Sequence, residues 1–315
     1  MTEPQSEISF VNGDLASIEG LHRFSHPAMA TIFELLIVHP DAVYAAQAAQ
    51  DAFDELDKLE RELSRFVENS DVSRINNAVA GQSLVLGEAA FDCLQLAARM
   101  SVETGGAFDV TVANLLNCWL DKDKKPRLPS PKELDFARKH TGIGLLNFDS
   151  QNHTVHVVSS VQVDLGGIGK GFALDRIAGL LRDWSIDTAL VHGGFSTALA
   201  LDSPQGTSGW PVTISYPYGN KETLARLSLQ NRALSGSGLQ KGQHIIDPRG
   251  GCPVKDTVAA WACAPDAATA DALSTAFMVM SADQIQQYCR AHPDTSAAVI
   301  TGKQGTLVHF NLNLL

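Results

Sequence analysis

The hydrophobic residues of the chain recur with two periods, and each period predicts a different kind of element. From Thr31 to Val38, β-branched and aliphatic residues form a short run between polar residues, which predicts a strand. From Asp41 to Phe66, apolar residues recur every three or four positions, which predicts an amphipathic helix. A third segment, residues 87–104, has helical spacing and is closed by Gly105 and Gly106.

The rest of the pattern groups strands together as well as alternating them with helices. We predict a short helix capped by Asp71, a strand over residues 154–164 that ends at Asp164, and a helix from Lys170 to Trp184. Further strands are predicted near residues 187–192, 196–201, 210–216, 222–229, 257–264, 296–301 and 306–310, and helices at 267–280 and 281–291. Adjacent strand groups favour an α+β fold with antiparallel sheets and packed helices over a doubly wound parallel sheet.

The domain organisation is predicted from where this pattern begins and where it is interrupted. Residues 1–20 lack periodicity, so we expect a flexible N-terminal segment followed by a single domain over residues 21–315. The charged, proline-rich stretch from Asp121 to Pro131 is interpreted as an exposed loop, because periodic segments resume on both sides of it. A chain of 315 residues that is 44% hydrophobic has enough apolar material for a sizeable core.

Composition narrows the class of partner and the expected location. The chain has 24 basic and 35 acidic residues, a formal charge of −11, so a nucleic-acid partner is not expected. A phosphate-bearing ligand would need positive charge supplied locally by its own site. No apolar run is long enough to span a membrane and no leader is evident, so we expect a cytoplasmic protein. Its five cysteines include no CxxC pair, and we expect reduced thiols.

The sequence VDLGGIGKG, residues 163–171, predicts a strand end, a glycine-rich turn and a helix that opens near Lys170. Glycines let a ligand approach the backbone, and free amides at a helix start attract phosphate. A P-loop is excluded because Asp164 and Gly171 occupy positions where it needs Gly and Ser or Thr. A dinucleotide fingerprint from Gly167 is excluded because Phe172 replaces its last glycine. A plain left-handed turn is the alternative to a phosphate cradle.

Asp271 and Thr275 form a second candidate constellation. Asp266 is a natural N-cap for the predicted helix 267–280, which leaves Asp271 inside it, and a spacing of four puts Thr275 on the same face. A hard cation such as Mg²⁺ takes oxygen ligands from one or two carboxylates and keeps other positions for water and substrate phosphate. The alternative is a solvated aspartate beside a threonine bonded back to the helix.

Two further motifs carry candidate chemistry. In HIIDPRGGCPV, residues 244–254, turn formation accounts for Asp247, whereas His244 can take a proton from a hydroxyl nucleophile or be a purely structural histidine. In TGGAFDVTV, residues 104–112, Asp109 either caps the following helix or belongs to a pocket wall built on the glycines.

Taken together and in this order, the motifs resemble the ApbE family of FAD:protein FMN transferases. The resemblance runs from about Pro27 to near the carboxyl terminus and is carried by HPAMAT, ELSRFVENSDVSRIN, GGAFDVTV, DLGGIGKG, HIIDPRGGCPV and the ADALSTA helix. It implies an ApbE-like, T-fold-like architecture, and transfer of FMN from FAD, as substrate, to a threonine of an acceptor flavoprotein. Mg²⁺ is the implied cofactor, and AMP the implied product.

The resemblance also implies roles for individual residues. Asp164 and Lys170 would contact FAD, and His244 would be the base toward the acceptor threonine. The carbonyl of Gly167 with Asp271 and Thr275 would bind Mg²⁺. The flavin and adenine pockets would be lined by Met29, Phe66, Ala107, Phe108, Asp109 and Ile245. Asp271, through the metal, would be catalytic together with His244.

Departures from the family pattern keep two other functions open. Phe66 stands where tyrosine is usual, and Phe195 and Ser196 stand where an aspartate often follows the glycines, so a non-enzymatic FAD-binding protein is one alternative. The stretch between Gly236 and His244 is short, which motivates the other alternative, an FAD pyrophosphatase that forms FMN and AMP with water as acceptor.

Overall fold

A computed structural model of the chain describes residues 15, 18–121, 123, 125–217, 223–239, 244–302 and 305–312. Helices α1–α8 span, in chain order, Ala42–Leu63, Asp71–Asn76, Glu88–Glu103, Ala113–Trp119, Pro131–Lys139, Gly169–Asp183, Ala267–Val279 and Ala282–Ala291. Strands β1–β15 span Leu21–Ala28, Thr31–Val38, Ser83–Val85, Leu146–Asp149, Thr154–Val157, Ala189–Gly193, Thr197–Ala200, Trp210–Ser215, Thr223–Leu229, Arg232–Gly238, Ile246–Asp247, Cys252–Pro253, Thr257–Ala264, Ser296–Thr301 and Thr306–Phe310. The flexible segment predicted for residues 1–20 lies mostly outside the described residues.

The main sheet combines strands from the beginning, the middle and the end of the described chain. Its eight strands follow the order β1-β2-β6-β7-β10-β13-β14-β15, and each neighbouring pair is antiparallel. The described residues also form a three-stranded sheet, β3-β5-β4, and two hairpins, β8-β9 and β11-β12. The antiparallel α+β fold predicted from the pattern is therefore observed.

Each face of the main sheet is covered by a different layer, because side chains alternate between faces along a strand. On one face, Ala260, Ala262 and Ala264 of β13 belong to the larger core, to which α1, α3, α6 and α7 also contribute. On the other face, Ala259 and Trp261 belong to a second core formed with the β8-β9 hairpin. We call these the helical face and the hairpin face.

The sequence predicts the start or end of some of these helices and strands correctly and of others incorrectly. Asp266 caps α7 through its side chain, as the sequence predicts, and Asp41 caps α1 in the same way. The predicted N-cap Asp71 is wrong: Ser70 caps α2 by accepting a hydrogen bond from the amide of Ser73. The predicted strand over residues 154–164 is also too long, since β5 ends at Val157. None of the helices in the described ranges is both long and apolar enough to cross a bilayer.

A partly buried ion-pair cluster joins the first strands of the main sheet. Glu34 of β2 lies opposite His192 of β6, with 2.9 Å between its Oε2 and the histidine Nε2, and it also accepts hydrogen bonds from Arg23. His192 and Arg23 together lower the pKa of Glu34 from 4.5 to about 2, against the opposing effect of burial. A carboxyl group whose pKa is lowered on folding stabilises the protein above its unfolded-state pKa, and this contribution is lost as the pH falls toward the folded value.

We therefore expect Glu34→Gln to lower the free energy of unfolding at pH 7 by up to about 3 kcal/mol. The difference in free energy of unfolding between wild type and variant should shrink by more than half at pH 3, where much of the stabilisation by ionised Glu34 has been lost. Urea unfolding at the two pH values measures it, with the exposed Glu68→Gln as control. Equal destabilisation at both pH values would contradict an electrostatic origin.

Candidate active site

A cavity of about 480 Å³ opens at the end of the main sheet where α6 and α7 begin. Its lining includes residues from all four of the motifs singled out in the sequence. Of the residues predicted to form the site, those that line it are Ala107, Phe108, Asp109, Asp164, Gly167, Lys170, His244, Ile245, Asp271 and Thr275. The fold thus brings the four motifs together in space.

Asp271 is the buried acidic centre of this cavity, with 2% of its surface exposed. Its Oδ2 accepts hydrogen bonds from Nζ of Lys170 at 3.3 Å and from the amide of Gly171 at 3.2 Å. Its Oδ1 accepts from Ser235 Oγ at 3.0 Å and Thr197 Oγ1 at 3.3 Å. The alternative of a solvated aspartate is therefore wrong, although Thr275 Oγ1 does bond back to the Asp271 carbonyl at 3.3 Å.

The close packing of α6 against α7 puts Asp271 within reach of the glycine turn. A Cβ on Gly171 would lie 2.1 Å from the carbonyl oxygen of Ala267, so only glycine fits this crossing. Asp175 of α6 caps the start of α7 by accepting from the amides of Ala267 and Ala268 at 2.7 and 2.8 Å. Burial raises the pKa of Asp175 to about 7 in spite of these two hydrogen bonds.

The glycine turn is held by contacts from its own residues and from Arg65, which follows α1. Asp164 Oδ1 accepts from the amide of Gly166 at 2.8 Å, and its Oδ2 lies 3.3 Å from Nη1 of Arg65. A Cβ on Gly167 would lie 3.0 Å from Thr275 Oγ1, which is why this position needs a close-approach glycine. Gly166, Gly167 and Gly169 all lack a positive φ, so the alternative of a left-handed turn is wrong.

Asp109 is a buried part of the cavity wall, held there by its hydrogen bonds. Its Oδ1 accepts from the amide of Thr111 at 2.8 Å and from that residue's hydroxyl at 2.6 Å, while its Oδ2 accepts from the amide of Ile143 at 2.9 Å. Of the two alternatives for Asp109, capping is wrong, because α4 begins at Ala113 and has no side-chain cap, and the structure places Asp109 in the pocket wall. Asp109 instead fixes the loop that presents Ala107 and Phe108 to the cavity.

His244 lies just before the short hairpin β11-β12. It is half-buried and lines the cavity. Asp247 forms the turn predicted for it, since its side chain accepts from the amide of Arg249 at 2.9 Å and its carbonyl from Gly251 at 2.7 Å. These hydrogen bonds order the turn of the hairpin that directly follows His244.

Met29 and Phe66, two of the residues predicted to line the flavin and adenine pockets, do not line this cavity. Met29 lies in the β1-β2 turn and packs against the larger core. Phe66 follows α1, is 79% exposed and lines a second cavity of about 460 Å³. Arg65 contacts one residue of each cavity. Its guanidinium carbon lies 4.8 Å from the ring centre of Phe66, and its Nη1 contacts Asp164. A flavin contact by Met29 or Phe66 stays a prediction.

Sequence reasoning missed the hydroxyl groups that surround Asp271. Ser235 and Ser237 lie on β10, a strand that was not predicted because the segment RALSGSG is rich in glycine and serine. Ser237 Oγ lies 2.8 Å from Ser274 Oγ and 3.2 Å from Thr275 Oγ1. The two-residue spacing of the serines was the available signal, since it puts both hydroxyls on one face of a strand.

The donors near Asp271 fit a hard cation rather than a soft one. A buried carboxylate, the Thr275 and Ser237 hydroxyls and the carbonyls of the glycine turn are all oxygen donors, the type that Mg²⁺ prefers. Across the described ranges, no group of three or more His, Cys, Asp or Glu side chains is placed to hold a metal. A cation here would therefore depend on one carboxylate and on oxygens of a phosphate ligand.

Comparison with known proteins points to one family. A sequence model of the ApbE family matches residues 29–300. The "FAD:protein FMN transferase" of Salmonella typhimurium is 28% identical over 278 residues, which cover 83% of this chain and 79% of the relative. The apo crystal structure of the Pseudomonas stutzeri flavinyl transferase ApbE superposes with a TM-score of 0.81 at 23% identity, covering 92% of this chain and 94% of that one.

A second solved structure has a fold similar to that of this chain. The apbe protein of Thermotoga maritima has a TM-score of 0.80 and 26% identity, and covers 91% of this chain and 96% of its own. The predicted ApbE-like α+β fold is confirmed by both likenesses.

Proposed function

The chain belongs to the ApbE family, and we propose that it transfers the FMN part of FAD to a threonine of an acceptor flavoprotein, with Mg²⁺, releasing AMP. The predicted family and enzyme class, a FAD:protein FMN transferase, are confirmed by homology over most of the chain. The acceptor residue, the metal requirement and the roles of single residues are our proposal. The predicted cytoplasmic location and the absence of a nucleic-acid partner stay predictions.

The observation that carries the proposal is the pairing of Lys170 with Asp271 at the glycine turn, 3.3 Å between Nζ and Oδ2. The chain has a net charge of −11, so bulk electrostatics do not attract an anionic dinucleotide. Lys170 brings a local positive charge to the glycine turn, which a phosphate ligand of an acidic protein requires. When bound, Mg²⁺ would neutralise the pyrophosphate near Asp271, Thr275 and the Gly167 carbonyl.

The proposed reaction is a phosphoryl transfer in which one bond to phosphorus forms and one breaks. The threonine hydroxyl oxygen forms a bond to the phosphorus of the FMN part, the bond from that phosphorus to the bridging oxygen of the pyrophosphate breaks, and AMP leaves with this oxygen. The hydroxyl proton passes to the imidazole of His244 and then to solvent. Lys170 holds the phosphates in place, and such positioning provides much of the catalysis in phosphoryl transfer.

The short loop that motivated FAD hydrolysis as an alternative includes residues 240–243, which lie outside the described residues. Hydrolysis and FAD binding without turnover are therefore kept as outcomes of the experiment. The protein is incubated with FAD and Mg²⁺, with and without an unmodified acceptor flavoprotein domain, and the products are followed by mass spectrometry and chromatography.

We expect an FMN-sized mass gain on the acceptor, with one AMP released per transfer, and much weaker FAD binding when EDTA removes the metal. Release of FMN and AMP at the same rate without acceptor would favour a pyrophosphatase. Intact FAD under all conditions would favour a binding protein. Unchanged turnover in EDTA would contradict the metal requirement.

We expect His244→Gln to lower the rate of transfer by about 10²- to 10⁴-fold, the range for loss of a general base. The dissociation constant for FAD, measured by flavin fluorescence, should change little because the substitution is neutral and similar in size. His292→Gln is the matched control, since this histidine packs on Tyr288 away from the cavity. A parallel loss of FAD affinity would instead assign His244 to substrate binding.

A further inference from the structure

Strand β10 is longer than its neighbour β7, and the difference leaves an open edge at the cavity. The two strands pair from Arg232↔Ala200 to Ser235↔Thr197, where β7 begins. On its other side β10 stays paired with β13 as far as Gly238↔Ala259. Within the described ranges, Ser237 and Gly238 therefore have no strand beside them on the β7 side. Both residues line the cavity.

The backbone groups along this edge point into the gap. The amide of Gly236 donates to the Ser196 carbonyl at 2.7 Å, so Gly236 directs its polar groups toward β7. Alternate residues of an antiparallel strand direct their N–H and C=O groups to the same side. The carbonyl of Gly236 and both backbone groups of Gly238 are therefore aimed at the gap. An open edge of this kind is a template for pairing with another extended chain.

The two faces of the gap differ in charge. On the helical face, the Ser237 hydroxyl contacts Thr275, and Asp271 and Lys170 lie beyond it. On the hairpin face, the cavity is lined by uncharged residues: Ser215, Tyr216, Gly236, Gly238, Ala259 and Trp261. A Cβ on Gly236 would lie 2.7 Å from the Trp261 indole, so the ring covers this part of the floor closely.

We propose that the acceptor polypeptide binds as an added β-strand along the Gly236–Gly238 edge, in line with β7; this rests on the proposed function. Side chains of such a strand alternate between faces. The residue beside Ser237 presents its hydroxyl to the charged half of the cavity, and the residues before and after it contact the uncharged half near Trp261. Main-chain hydrogen bonds supply affinity, and the two faces supply specificity for an uncharged segment around the threonine. Phe195, 58% exposed at the end of the gap, contacts the same segment.

The test compares two substitutions of one glycine. Gly238→Pro removes the amide aimed at the gap, whereas Gly238→Ala keeps it, and its new Cβ would make only ordinary contacts, 3.4 Å from the Val258 carbonyl. We expect Gly238→Pro to raise the KM for an unmodified acceptor domain by about tenfold relative to Gly238→Ala, the effect of one lost hydrogen bond. The dissociation constant for FAD should be the same in both variants.

A second measurement uses the wild-type enzyme, so that it does not depend on how Gly238→Pro folds. Peptides of about ten residues copying the acceptor segment are methylated on single backbone nitrogens, and alternate positions should lose competition against the acceptor domain. Uniform effects along the peptide, or equal KM values for the two variants, would overturn the added strand. Weaker FAD binding by the proline variant alone would assign the edge to FAD instead. Absence of transfer by the wild-type protein would overturn the proposed function, and this inference with it.

Discussion

Asp271→Asn should lower FMN transfer by about 10²- to 10³-fold, the range observed when one strong electrostatic contact to a transition state is removed. The asparagine keeps an oxygen for Ser235 and Thr197 but removes the negative charge beside Lys170. The protein should stay folded, because the substitution is similar in shape. The measurement is the initial rate of acceptor flavinylation at saturating FAD, with unfolding by urea as the check on stability.

Asp271→Ala is the less informative change, for a reason that only the structure supplies. The sequence proposes no partner for Asp271 other than the metal, and on that basis alone alanine would spare the fold. In the structure, alanine would leave Ser235 and Thr197 without their buried acceptor and Lys170 without its ion-pair partner, and buried groups left unpaired are costly. Asparagine removes the charge but keeps the acceptor for Ser235 and Thr197, so it costs less structure than alanine, although its NH2 group cannot accept from Lys170 and the Gly171 amide.

The matched control for this prediction is Asp266→Asn on the same helix. Asp266 caps α7 by accepting from the amide of Thr269 at 2.7 Å, and asparagine is an equally good N-cap. Activity of this variant should stay near that of the wild type. If Asp271→Asn kept more than about a tenth of the wild-type rate, the charge of Asp271 would not be needed for catalysis.

Gly171→Ala should destabilise the protein by about 3 kcal/mol or more and also remove most of its activity. The added Cβ would meet the backbone of Ala267 and Ala268 at 2.1 to 2.8 Å, and backbone atoms cannot rotate away as a side chain can. Separation of α6 from α7 is the only relief, and it breaks the contact from the Gly171 amide to Asp271. The free energy of unfolding in urea and the transfer rate measure the two effects.

Gly179→Ala, eight positions further along α6, is the control for that experiment. A Cβ at this position would meet nothing within 4 Å, so alanine should stabilise the helix by about 0.5–1 kcal/mol. Opposite signs for the two substitutions on one helix would show that the α6-α7 contact, rather than helix propensity, requires Gly171. Equal small effects would contradict the close crossing.

The sequence predicted best those features that depend on neighbouring residues. The period of apolar positions gave α1, α3, α6 and α7 to within about three residues, because amphipathic spacing and capping are local properties. Local reasoning failed where two residue types compete for a role, as when Ser70 rather than Asp71 caps α2. It failed also at β10, where serine and glycine resemble a loop until a partner strand lies on each side.

The candidate site was predicted as a set of motifs, but not as an arrangement. The order of GGAFDVTV, DLGGIGKG, HIIDP and ADALSTA identified the family, and ten of the predicted residues line one cavity. The hydrogen bonds that fix Asp109, the position of Phe66 in a second cavity, and the placement of Ser235 and Thr197 around Asp271 could not be read from the chain.

The sequence by itself thus determined the elements, the chemistry available in each motif and the family. Tertiary structure alone decided which groups face Asp271, because Lys170 and Asp271 are 101 positions apart and meet only through the packing of α6 on α7. It also decided that β10 extends beyond β7 and leaves an edge at the cavity, since strand register depends on pairing across the sheet rather than on the period within one strand.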